Sequence, residues 1–117
     1  MVRLAVVLKA SACGTIPLVQ ALRYLASPTR LESGCLGCRV WTEEIDASTV
    51  RYVEEWATEA AMRRRVRSRG FTRLLGVFES AQEAPRVEFE FVTERRGLDY
   101  VAEVRDRDGM VEISQRG

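Results

Sequence analysis

A chain of 117 residues has the length of one domain, and its 46% hydrophobic content supports a core without excluding a dimer that buries more. Eighteen basic against 17 acidic residues leave a formal net charge of +1, so no overall field draws the chain to nucleic acid or to an anionic membrane. Apolar runs such as 4–8 are far too short to span a bilayer, and the N-terminus lacks the pattern of a signal peptide; with an odd three cysteines, the expected setting is the reducing cytoplasm.

Residues 3–9 form a short run rich in Val and Leu, the pattern of a central strand covered on both faces. Residues 11–14 read as a turn, after which Thr15 as a capping hydroxyl and Pro17 in the first turn start a helix. Its inward face is expected to carry Leu18, Ala21, Leu22 and Leu25. Pro28 removes a backbone donor and biases Ser27 away from helical geometry, which predicts a kink or a restarted turn. Gly34 then lets the chain enter a strand over 35–42, and the polar residues 43–48 turn it into a second strand.

In that second strand, 49–56, Val50, Tyr52, Glu54 and Trp56 alternate onto one face and Arg51, Val53 and Glu55 onto the other. Thr58 followed by Glu59 signals a helix start. The helix carries Met62 and Val66, is interrupted near Gly70, and resumes with Phe71, Leu74, Leu75 and Phe78 on one face. Residues 86–93 alternate again, with Val87, Phe89 and Phe91 against Glu88, Glu90 and Val92. The order β, α, β, β, α, β is the ferredoxin-like α+β arrangement, an antiparallel sheet with both helices on one face. Beyond Gly97, two strand-like runs flank Asp106-Arg107-Asp108-Gly109, which predicts a C-terminal β-hairpin.

Several short motifs, by order and spacing, resemble the antibiotic biosynthesis monooxygenase family, in its quinol-monooxygenase-like branch. Glu32-Ser33-Gly34-Cys35-Leu36 resembles the Glu-Pro-Gly-Cys-Leu that opens one strand, and Glu54-Glu55-Trp56 the Glu-x-Trp that closes the next. Ser27-Pro28-Thr29-Arg30 resembles Ala-Pro-Thr-Arg, and Ser68-Arg69-Gly70-Phe71 resembles Ser-Pro-His-Phe. The resemblance implies one domain over 1–117, with a family core to about residue 96 and an extension over about 97–117. It further implies a dimeric α/β barrel whose subunits each hold a pocket between sheet and helices. In that pocket, members without metal, flavin or heme oxidise electron-rich phenols or quinols with molecular oxygen. The heme-degrading branch uses an asparagine, a tryptophan and an iron-ligating histidine; this chain has no asparagine and no histidine, and of the three only Trp56 is present.

Three features bear on chemistry. Cys35 and Cys38 match C-x-x-C, yet on a strand residues three apart lie roughly 10 Å from each other on opposite faces, too far for a disulfide. Without histidine, a zinc or non-heme iron site has few ligands left, so neither a metal nor a cofactor is expected. The arginines at 63, 64, 65, 67, 69 and 73 read as a solvated face, balanced by Glu54, Glu55, Glu59 and Glu79, with room for one arginine to steer an anionic or phenolic substrate. Glu54, on a covered face between two aromatics, must be paired, hydrogen-bonded or protonated. A carboxylate with a raised pKa there is a usable general base.

The expected function is a cofactor-independent monooxygenase of a small aromatic quinol or phenol, with Glu54 and Trp56 catalytic and Tyr52, Phe71 and Leu75 lining the substrate pocket. The alternative is a non-catalytic dimeric barrel that binds a small hydrophobic ligand. The homodimer is expected to join through the open sheet face, displaying Arg51, Val53, Glu55, Glu88, Glu90 and Val92.

Overall fold

The computed structural model describes residues 1–11 and 14–116, with side chains to residue 107. Its elements run β1 (Val2–Lys9), α1 (Thr15–Thr29), β2 (Cys35–Thr42), β3 (Thr49–Trp56), α2 (Glu59–Val66), α3 (Arg69–Glu79), β4 (Arg86–Phe91) and α4 (Leu98–Arg116). The strands form one antiparallel sheet in the order β2-β3-β1-β4, the ferredoxin-like arrangement. Helices α1, α2 and α3 cover one face, and no described helix is long and apolar enough to cross a membrane.

Strand alternation sets the layers. In β1, Val2, Leu4, Val6 and Leu8 are buried under the helices, while Arg3, Ala5, Val7 and Lys9 are half-buried on the open face. The strand is central, as expected, but in the single chain only one of its faces is covered. Val50, Tyr52, Glu54 and Trp56 point into the helix layer, where they meet Leu18 and Leu22 of α1 and Phe71, Leu74 and Phe78 of α3 in one core. Edge strand β4 lies beyond full helix cover, so Phe89 and Phe91 stay 40% and 61% exposed although they share the helix-side face.

Local chemistry departs from expectation at several points. Gly14 is the N-cap of α1 and makes no side-chain cap bond, so Thr15 lies inside the helix. The expected turn is closed by the Gly14 N–H donating to the Ser11 carbonyl at 2.9 Å; its middle residues, Cys13 included, lie outside the described residues. No break occurs at Pro28, the penultimate residue of α1: the helix forgoes the one N–H bond that proline cannot make and runs on, with the Arg30 N–H donating to the Ala26 carbonyl and Thr29 Oγ1 to the Leu25 carbonyl at 2.7 Å. The inward face of α1 is Leu18, Val19, Leu22, Ala26 and Thr29, with Ala21 and Leu25 half-buried at its side.

A β-bulge between Cys35 and Gly37 absorbs one residue of β2. Cys35 therefore lies opposite Trp56 and Cys38 opposite Glu54, so the two cysteines share a face instead of alternating. Both remain free thiols.

The C-terminal hairpin is overturned: 98–116 is the single helix α4. A lone two-stranded hairpin is marginal in water, whereas a helix satisfies its own backbone, and an interior glycine costs it only about 1 kcal/mol. Asp99 complements the dipole in the first turn, Arg96 bonds Asp99 and Glu103, and Arg107 pairs with Glu103 one turn away. The helix projects from the body: the radius of gyration is 19.1 Å, against about 13 Å for a compact chain of this length. Leu98, Tyr100 and Val101 remain exposed on it.

Because α4 contributes so little packing, deleting residues 98–117 should change the urea unfolding free energy of the remainder by no more than about 0.5 kcal/mol. A loss above about 2 kcal/mol would mean that α4 packs against the body.

Candidate functional site

The register of β3 puts a carboxylate where the core is deepest. Glu54 has no exposure, and both of its oxygens are engaged. Arg65, from the last turn of α2 and 3% exposed, donates from Nε to Oε1 at 3.1 Å and from Nη2 to Oε2 at 2.9 Å. Trp56 Nε1 donates to Oε1 at 2.9 Å, and the Tyr52 hydroxyl donates to Oε2. Cys38 Sγ in turn donates to the Tyr52 oxygen at 3.2 Å. A chain of polar groups thus runs through the core with no acceptor left bare, the condition under which a buried charge is tolerated.

The turn between the two helices is built around Arg65. Thr58 caps α2 by accepting from the Ala61 N–H, and Ser68 caps α3 by accepting from the Phe71 N–H at 3.2 Å. The Ser68 hydroxyl also donates to the Arg65 carbonyl at 2.6 Å, so one side chain closes α2 and opens α3. The interruption expected near Gly70 falls at this serine. A Cβ at Gly70 would lie 2.7 Å from Arg65 Nη1, so the absence of a side chain at 70 is what admits the guanidinium. Phe71 supports it from below, its ring centre 5.7 Å from Cζ.

These surroundings govern ionisation. Burial opposes the charge of Arg65, but hydrogen bonds to Glu54 and the attraction of its charge outweigh it, so the guanidinium pKa is raised. Burial and then the Glu54 charge hold the Tyr52 phenol protonated well above its ordinary range. Burial pushes the Cys38 thiol up to about 11, against an opposing hydrogen bond with Tyr52.

Beside this network opens a cavity of about 280 Å³, lined by Glu32, Ser33, Trp56, Ala61, Arg64, Arg65 and Ser68. Of the residues expected at the site, only Trp56 lines it. Tyr52 is fully buried behind Glu54 and stacks edge-on to Phe78 at 6.2 Å; Phe71 is core beneath Arg65; Leu75 is 45% exposed on the outer side of α3. Glu54 is not among the lining residues.

Arg65 was hidden in an arginine run that reads as a solvated face. The signal that marks it is its spacing: it follows Met62 by three and Ala61 by four, both buried, whereas Val66, expected inward, is 41% exposed.

Sheet order and helix layer together define a ferredoxin-like α+β fold, with a sheet-to-helix cavity beside Trp56. The chain belongs to the antibiotic biosynthesis monooxygenase family, whose pattern matches residues 1–75. Solved structures agree in fold. A candidate antibiotic biosynthesis monooxygenase of Deinococcus radiodurans is similar with a TM-score of 0.75 and 24% identity, over 83% of this chain and 97% of that one. Rv0793 of Mycobacterium tuberculosis gives 0.71 and 16% over 82% and 98%, and a candidate family member from Nitrosomonas europaea 0.71 and 12% over 80% and 100%. At these identities the likeness carries the fold alone. Among curated proteins no relative matches.

Removing one partner of the buried pair strands the other, so Arg65→Met should cost about 3–5 kcal/mol in urea unfolding. A cost below about 1 kcal/mol would mean that Glu54 is not held by Arg65. Because the folded pKa of Cys38 lies above the ordinary 9, its contribution to stability is full below about 9 and is lost as pH rises through about 11. The urea midpoint should therefore fall across that interval, and less steeply in Cys38→Val; identical slopes in the two proteins would contradict this environment for the thiol.

Proposed function

We propose that this chain is a monooxygenase that works without a cofactor, as a cytoplasmic homodimer, on a small aromatic quinol or phenol. The observation that carries the reading is the 280 Å³ cavity beside Trp56, of a size for one substituted ring, in a member of a monooxygenase family. Loss of the phenolic proton gives an anion that reduces oxygen directly. A carbon–oxygen bond then forms on the ring and the oxygen–oxygen bond breaks. The substrate supplies all four electrons, so one oxygen atom enters the ring, as the new carbonyl of a quinone from a phenol or as the hydroxyl of a hydroxyquinone from a quinol, and the other leaves as water.

In this reading Glu54 is a positioning residue. A base must reach the proton it removes, and Glu54 is sealed behind Arg65, Trp56 and Tyr52. The carboxylate that lines the cavity is Glu32, which takes the base role instead. Trp56 is the ring wall, oriented by the bond from its Nε1 to Glu54. Phe71 acts from beneath Arg65, and Tyr52 steadies Glu54.

The dimer rests on the open sheet face. There Arg3, Arg39 and Arg95 converge on Glu55 at 3.4, 3.7 and 3.2 Å over the buried Val53, while Ala5, Val7 and Trp41 supply apolar surface. Mixed charges around small apolar side chains suit a twofold, self-complementary interface. Arg51→Glu, which also breaks the pair with Glu43, should weaken the dimer seen by sedimentation at micromolar concentration.

Oxygen uptake with a panel of hydroquinones tests the activity. Uptake in the wild type that falls at least about tenfold in Glu32→Gln, and about as far in Trp56→Phe, is the expected result. Binding of these hydroquinones without oxygen uptake would leave a ligand-binding barrel in its place.

A further inference from the structure

Arg65 enters the core through a fork that uses only one of its edges. Nε and Nη2 are spent on Glu54, and because the guanidinium is planar, Nη1 lies on the side away from that carboxylate. Among the described residues Nη1 has no hydrogen-bond partner, although the side chain is 98% buried. Nη1 is not sealed off, since Arg65 lines the cavity and its unpaired nitrogen keeps contact with the solvent space there, open to an acceptor that enters. Its neighbours offer nothing better: the Ser68 hydroxyl is committed to the Arg65 carbonyl and the Phe71 N–H, and Trp56 Nε1 is committed to Glu54. The guanidinium is also held rigidly, clamped by Glu54 on one edge, seated on Phe71 and closed in by the bare backbone of Gly70.

We infer that Nη1 of Arg65 is the recognition point for an anionic oxygen of the ligand, so that the cavity takes a single-ring aromatic as its phenolate or carboxylate, the ring lying along Trp56 and the anion against Arg65. This rests on the cavity being the ligand site. Charge is balanced in a specific way: Glu54 neutralises one positive charge from behind, Arg64 adds a second at the exposed rim, and Glu32 is the opposing carboxylate on the wall. Glu32 is exposed and can turn to water, whereas Arg65 cannot turn away. A donor fixed before the ligand arrives loses no rotamer freedom on binding it. For a phenol the consequence is chemical as well as steric, since a donor that favours the anion lowers the pKa of the bound hydroxyl. Arg65 is then the specificity residue of the site, with Gly70 the residue that makes room for it.

The test compares benzoate with the neutral benzyl alcohol by Trp56 fluorescence in a Trp41→Phe background, above and below the ionisation of benzoic acid. Expected is binding of benzoate at least about tenfold tighter than benzyl alcohol, the value of one charge-assisted bond, with the preference disappearing once the acid is protonated. Arg65→Lys, which keeps the charge but loses Nη1, should bring the two affinities together, while Arg64→Gln should keep the preference within about threefold, as a screened rim charge does. Equal wild-type affinities would overturn the inference and leave the aromatic cavity standing. So would a preference that Arg64→Gln abolishes, since that traces it to the rim. Binding of neither compound would remove the cavity as the ligand site. If Arg65→Lys does not fold, the wild-type ratio and the Arg64→Gln protein decide the matter alone.

Discussion

A bidentate ion pair with essentially no access to water, Glu54 to Arg65, is the constraint around which the middle of this molecule is built. Two charges taken out of water are repaid only when the geometry is good and the remaining lone pairs are filled. The sequence around the pair reads as that requirement met piece by piece. Trp56 and Tyr52 flank Glu54 at the two positions of β3 that share its face, and each turns its one donor toward the carboxylate. Ser68 ends α2 one turn after the arginine enters, and Gly70 leaves the space that the guanidinium fills.

The same arrangement ties the sheet to the helices. Hydrophobic contact among Leu22, Leu74, Phe78 and the β1 and β3 side chains holds the layers together without fixing how α2 is rotated. The ion pair sets that rotation, because only one face of α2 places Arg65 over Glu54. A turn of the helix that buried Val66 instead would strand the carboxylate. Gly34 has a similar part at the other end of the cavity: its φ of 86° suits glycine, and a Cβ there would come within 2.7 Å of Ala61 Cβ, so a small residue lets β2 start close beneath α2.

Site chemistry follows from which polar groups are used up. Within the network every acceptor is filled, which makes it rigid and chemically quiet; the thiol of Cys38 and the phenol of Tyr52 are held protonated there. At its edge, Trp56, Arg65 and the exposed carboxylate of Glu32 line one cavity. A filled, buried interior thus lies behind an exposed rim.

The linear sequence by itself determined the strands 35–42 and 49–56 to the residue, the inward row Val50, Tyr52, Glu54 and Trp56, the Thr58 cap and the ferredoxin-like order, because each is a matter of local period and capping chemistry. It also established that Glu54 needed a partner. The tertiary structure alone decided which arginine of six answered that need, since partner choice depends on how a helix is rotated over a sheet. It decided that Cys35 and Cys38 share a face, because a bulge is set by pairing with β3 and not by the cysteines themselves. It decided that residues 98–116 form a helix, since a turn-rich composition makes a hairpin only where a sheet exists to receive it. And it separated the aromatic residues into wall and core, Trp56 at the cavity and Tyr52 and Phe71 behind it, because depth is a property of layers in contact and no spacing along a strand encodes it.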